Sequence, residues 1–148
     1  MPNWCQNTLK ITGDKKELIK FRKKAKSENT KLSLANFYPE PNYSKVRVKP
    51  TFPSFHKEKY VEKRSAWWDW RIQNWGTKWD IEAELTDIGT ELCYDFDSAW
   101  SPPVSWIKKV SKDYPKLQFR LKYREEGIGF KGVSKAQNGK VSDKQTKL

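Results

Sequence analysis

The residues in this chain that could do chemistry are few, and their spacing limits what they can do. Asp95-Phe96-Asp97 places two carboxylates on one face of any strand that contains them, and such pairs hold Mg²⁺ in some phosphoryl-transfer and nuclease sites. That chemistry needs a further carboxylate from a neighbouring strand, and the run from Cys5 to Thr12 supplies none. Cys5 could act as a nucleophile only beside a base. The single histidine, His56, lies in the irregular stretch Phe52-Pro53-Ser54-Phe55-His56, and a loop histidine is a poor base without a positioning carboxylate. Glycine-rich phosphate loops of Walker or Rossmann spacing are absent. These patterns predict no catalytic residue, no metal ligand and no cofactor.

Binding chemistry is better represented. Five of the eight tryptophans fall within thirteen residues, Trp67 to Trp79, a density that implies either a packing core or a stacking surface. On a helix over this stretch, Trp68, Ile72 and Trp75 share one face and would dock it, with Trp4, Trp79 and Trp100 sealing its seam against a sheet. Trp67, Trp70 and Arg71 share the other face. With Lys78 they could stack bases and neutralise phosphates. A small-nucleotide cleft near Asn7, Trp75, Lys78, Asp80 and Trp100 is a further possibility that the same cluster raises.

With 30 Lys and Arg against 18 Asp and Glu, the 148-residue chain carries a formal charge of +12, which favours a polyanionic partner. The candidate phosphate contacts are Lys15, Lys16, Lys20, Lys23 and Lys24 on a first helix, and Lys45, Arg47, Lys57 and Arg64 in a long loop. Charge is also segregated: Trp79 to Ile107 holds seven acids and no Lys or Arg, while Lys108 to Arg124 holds seven bases and one acid. Two isolated cysteines, the lack of a signal-peptide pattern and the lack of a long apolar run predict a cytoplasmic protein that does not enter a membrane.

The elements that must position these groups follow from periodicity. Cys5 to Thr12 alternates as a half-buried strand. Asp14 and Glu17 then open a helix with Leu18, Ile19, Phe21 and Ala25 on one stripe. Leu32 to Phe37 reads as a short strand, and residues 40–66 as an irregular basic insertion. A Trp-rich helix runs to Trp75 and stops at Gly76. Strands around Ile81–Leu85 and Leu92–Phe96 form a hairpin turning at Asp87-Ile88-Gly89. Ser101 is placed as the cap of a helix with Pro102 and Pro103 in its first turn and an apolar stripe up to Tyr114. Leu117 to Tyr123 is a further strand, and Gly127 to Phe130 a short one. The aromatics Tyr94, Phe96, Phe119 and Tyr123 point toward the helices, leaving the other sheet face polar, with acids beside bases. Residues 133–148 read as a disordered basic tail. The result is a single α+β domain over 1–132, a split βαβ antiparallel sheet with two helices on one face.

Several motifs in fixed order also carry a family resemblance: Pro2-Asn3-Trp4-Cys5-x-Asn7-x-Leu9, Asn74-Trp75-Gly76-Thr77-Lys78-Trp79-Asp80, Ala99-Trp100-Ser101-Pro102-Pro103 and Tyr123-x-Glu125-x-Gly127. The chain resembles the YubB-type, or Api-like, ferredoxin-like family of phage, prophage and plasmid proteins. The usual family pattern has an acid where this chain has Gln6. The resemblance implies a ferredoxin-like fold and a mobile-element origin, and no activity. Together these readings predict an accessory protein that binds nucleic acid or a ribonucleoprotein. The alternatives are a module that inhibits or redirects a host defence factor, and a small-nucleotide binder.

Overall fold

A computed structural model describes residues 2–50 and 66–148. The predicted contacts Lys57 and Arg64, like His56, fall outside the described residues. Among those described, six strands form one antiparallel sheet, accompanied by three α-helices. In chain order these are β1 (Trp4–Gly13), α1 (Lys15–Ala25), α2 (Ala66–Asn74), β2 (Ala83–Asp87), β3 (Glu91–Ala99), α3 (Val104–Asp113), β4 (Leu117–Glu125), β5 (Phe130–Gln137) and β6 (Lys140–Lys147).

The strands lie in the order β2-β3-β1-β4-β5-β6, so the first strand sits at the centre between β3 and β4. Alternation decides which side chains of β1 are buried: Cys5, Leu9 and Ile11 are fully covered, while Gln6 and Lys10 are exposed. The same rule turns Leu117, Phe119, Leu121 and Tyr123 of β4 and Leu92, Tyr94 and Phe96 of β3 inward. α1 starts where the Asp14 carboxylate accepts the Glu17 N–H, and it buries Leu18, Phe21 and Ala25. Phe21 is the hub of the core. It stacks on Phe37 at 4.7 Å between ring centroids and meets Phe119, Tyr94 and Trp106 edge-on. α3 completes that layer with Trp106, Ile107 and Val110.

Three local expectations are corrected. Leu32 to Phe37 is not a strand; Leu34–Asn36 forms a 3₁₀ turn, because the Asp80 carboxylate takes the Leu34 and Ala35 N–H groups at 2.7 and 3.2 Å. Ser101 does not cap α3: its hydroxyl donates to the Gly76 carbonyl at 2.5 Å, and the helix begins after Pro103. The third correction is the largest. Residues 133–148 are no disordered tail, and the short strand expected at Gly127 to Phe130 is a turn followed by a full strand. β5 pairs with β4 over Phe130–Gln137, and β6 pairs with β5. The pairing supplies what composition lacks, since β5 satisfies its backbone on β4 and β6 and buries Ser134 and Ala136. The turn is Asn138-Gly139, both at positive φ (49° and 79°), the geometry of a tight two-residue hairpin.

Gly132 fixes the depth of that hairpin. A Cβ there would run into the Tyr123 hydroxyl and stand only 2.5 Å from the Lys144 carbonyl. Gly132→Ala is therefore expected to cost about 1–3 kcal/mol through overpacking. Urea unfolding checks this, with hydrogen exchange on β5 and β6 rising more than on β1. A neutral substitution would mean that the hairpin does not contribute to the fold.

Candidate nucleic-acid interface

The sheet has one face covered by helices and one face carrying its polar side chains. On the polar face the charges are segregated strand by strand. β4 contributes Arg120, Lys122 and Arg124, all exposed. Register places Lys135 beside Arg120 and Lys131 beside Arg124 on β5, and Lys144 and Lys140 beside Val133 and Gln137 on β6. These seven basic side chains share a surface with Gln118, Val133, Gln137, Ser142 and Thr146, and β4, β5 and β6 themselves project no acid there. On the other side of β1 lie Glu84 of β2 and Glu91, Asp95 and Asp97 of β3. β1 separates the two fields with Gln6, Thr8 and Thr12 and the single charge of Lys10.

Adjacent strands are about 4.8 Å apart, so the β3 carboxylates and the β4 cations stand about 10 Å apart across β1. Thr8 donates to Asp95 at 2.8 Å, and Arg124 pairs with Glu126 of the following turn at 3.1 Å. That Arg124–Glu126 pair is well exposed and holds little energy, so a phosphate can displace it. An open depression of about 1020 Å³ spans the fields, with Gln6 and Thr8 at its floor, Asp95 and Asp97 on one wall, and Lys122, Arg124, Lys131 and Lys144 on the other. A second depression continues past Arg120, Lys135 and Lys140.

Two tryptophans stand at one end of this face. Trp4 is 46 % exposed and Trp79 36 %, their ring centroids 6.1 Å apart, and the Lys78 ammonium lies 4.8 Å from the Trp79 centroid. Trp100 is 42 % exposed after β3, held at φ 70° with its N–H on the Asn3 carbonyl. The expectation that Trp4, Trp79 and Trp100 seal a seam is thus corrected: these three face solvent.

Among the described residues, those expected to form an interface do not lie on the β4–β6 face. Lys15, Lys16, Lys20, Lys23 and Lys24 are exposed on α1, on the helical side of the sheet, opposite the basic face. Of them, Lys20 pairs with Glu17 and Lys24 lies over Phe37. Lys45 and Arg47 are exposed in an irregular segment. Trp67, Trp70 and Arg71 are half-buried, and Arg71 is already committed. It pairs with Glu40, sits 4.7 and 5.4 Å from the rings of Trp67 and Trp75, and donates to the Lys78 carbonyl. The Arg71 guanidinium in turn holds the Glu40 carboxyl below its ordinary range. Trp70 meets Trp75 edge-on at 5.5 Å, so its stacking surface is used internally.

Nor does the small-nucleotide cleft assemble. Trp75 is core, 2 % exposed, with its Nε1–H on the Tyr38 carbonyl at 2.9 Å. Asn7 is buried and donates to Cys5 and Ser98. Asp80 receives the Ser33 hydroxyl as well as the two backbone donors of the 3₁₀ turn, so its job is to tie that turn to the start of β2. Burial pushes the Cys5 thiol up to about 12, which removes it as a nucleophile. Among the described residues no cluster of three metal-ligating side chains exists. The same residues include no helix long and apolar enough to cross a membrane.

The order β2-β3-β1-β4, with α1 and α3 in the two crossovers, defines a ferredoxin-like α+β protein extended at one edge by the β5–β6 hairpin. The family model for the ferredoxin-like domain in Api92-like protein matches residues 74–147, half of the chain, and the protein belongs to that family. The fold is also that of the crystal structure of protein api92 from Yersinia pseudotuberculosis. The match has a TM-score of 0.63 and 14% identity, and covers 100% of this chain and 98% of that one. No curated protein matches the chain.

Proposed function

We propose that this protein binds a polyanion, nucleic acid or a ribonucleoprotein, through the open face of β4, β5 and β6, as a non-enzymatic accessory protein of a phage, prophage or plasmid. The observation that carries the binding reading is the field of seven cations on that face, in register across three strands and met by one acid, the Glu126 that pairs with Arg124. Cations fixed by a sheet lose little freedom on meeting phosphates, and each contact releases counterions into solution. The mobile-element part rests on the motif resemblance alone.

The direct test is a salt titration of binding to a labelled oligonucleotide, read by fluorescence anisotropy. With four to six of the cations engaged, log K should fall against log[salt] with a slope of about −3 to −5. Absence of salt-dependent binding at low ionic strength would overturn the reading.

A second reading draws on the acids of β2 and β3, which would repel a polyanion but suit a protein partner whose surface mirrors both fields. Such a module would inhibit or redirect a host defence factor. It predicts a stoichiometric complex with one host protein, little weakened by salt.

A further inference from the structure

Building on the polyanion reading, we infer that the ligand is single-stranded nucleic acid, with an unpaired base stacked at Trp4 and Trp79. Two observations converge on this beyond charge. The first is the pair itself: two large apolar rings in mutual contact, both substantially exposed, with the Lys78 ammonium against one of them. Its position is the second. Gln6 faces Arg124 across the β1–β4 ladder, and Trp4 lies two residues from Gln6 on the same face. Trp4 and Arg124 are therefore diagonal neighbours, about 7–8 Å apart, close to the step from a nucleotide's phosphate to its base.

The acids give the strand its orientation. Asp95 and Asp97 repel phosphates, so the sugar–phosphate backbone keeps to β4–β6 and the bases turn inward over β1. There the floor at Gln6 and Thr8 is uncharged, and its end is aromatic. A duplex cannot use such a station, because its base faces are already stacked inside the helix. Sulfated or phosphorylated polymers without bases cannot use it either.

The test compares a mixed-sequence single-stranded 20-mer, its duplex and heparin, in direct binding to the wild-type protein and to Trp79→Ala, Trp4→Ala and Trp79→Phe. The wild type should prefer the single strand to the duplex by at least about tenfold. Trp79→Ala and Trp4→Ala should each erase most of that preference and leave heparin affinity unchanged. Trp79→Phe, which keeps a stacking face, should restore much of it, separating lost stacking from lost structure. Equal affinity for all three polymers, unaltered by the tryptophan variants, would overturn the stacking inference and leave the polyanion reading standing. Binding to none of them would overturn both.

Discussion

Trp75→Ala should lower the free energy of unfolding by about 3–5 kcal/mol, the cost of deleting a fully packed indole. The ring is 2 % exposed, meets Trp70 edge-on and lies against the Arg71 guanidinium, while its N–H satisfies the Tyr38 carbonyl. Truncation opens a cavity under α2, leaves that carbonyl without its donor and removes a ring that shields the Arg71–Glu40 pair. Against a typical total stability of about 5–15 kcal/mol, this is a large fraction. Trp75→Phe should fall between, losing the hydrogen bond but keeping most of the volume. Trp79→Ala, on an exposed ring, should cost under about 1 kcal/mol. Chemical denaturation of the three variants distinguishes a core role for Trp75 from a ligand-cleft role. A Trp75→Ala protein as stable as wild type would show that the indole does not organise the fold.

Charge reversal on the open face has the second large effect. The triple variant Lys122→Glu, Lys131→Glu, Lys144→Glu should weaken oligonucleotide binding on the order of 100-fold at moderate salt. It should also shrink the salt slope by about 2, because each phosphate of a single strand that is no longer neutralised removes about 0.7. These side chains are exposed, and among the described residues none of them forms an ion pair, so the fold should tolerate the changes. The control is Lys16→Glu, Lys20→Glu, Lys23→Glu on α1, which alters net charge identically on the opposite side of the sheet. If the α1 variant loses as much affinity as the sheet variant, the interaction follows net charge and not the β4–β6 surface.

Much of the fold is legible in the sequence because its core elements are strongly patterned. Leu9 and Ile11 alternate with Lys10 and Thr12, Leu117 to Tyr123 alternate with polar and basic residues, and Leu18, Phe21 and Ala25 recur at helical spacing. Patterning fails where tertiary partners set the conformation. Leu32 to Phe37 is apolar enough for a strand, and distant partners, the Asp80 carboxylate and the Trp106 indole among them, hold it as a 3₁₀ turn. Residues 133–148 lack an apolar stripe because β6 is an edge strand, exposed on both faces for most of its length. Yet Asn138-Gly139 is a usable signal for a two-residue hairpin turn. Without that hairpin the site is hidden, since four of the seven open-face cations, Lys131, Lys135, Lys140 and Lys144, lie on it. The segregation of acids from bases along the chain is legible. That β1 keeps the two fields apart becomes visible only with the strand order.

The central place of β1 has a consequence for how the chain is made. Asn7 bonds to Ser98, 91 residues away, and the other flank of β1 pairs with residues 117–125. Synthesis runs at about 5–20 residues per second, so the strand that becomes the middle of the sheet waits several seconds for either neighbour. Contacts of such long sequence separation also slow folding itself. The β4–β5–β6 meander, made of short-range pairings, can form as soon as it emerges. The meander is thus free to offer the open edge of β4 as a ready place on which β1 can settle.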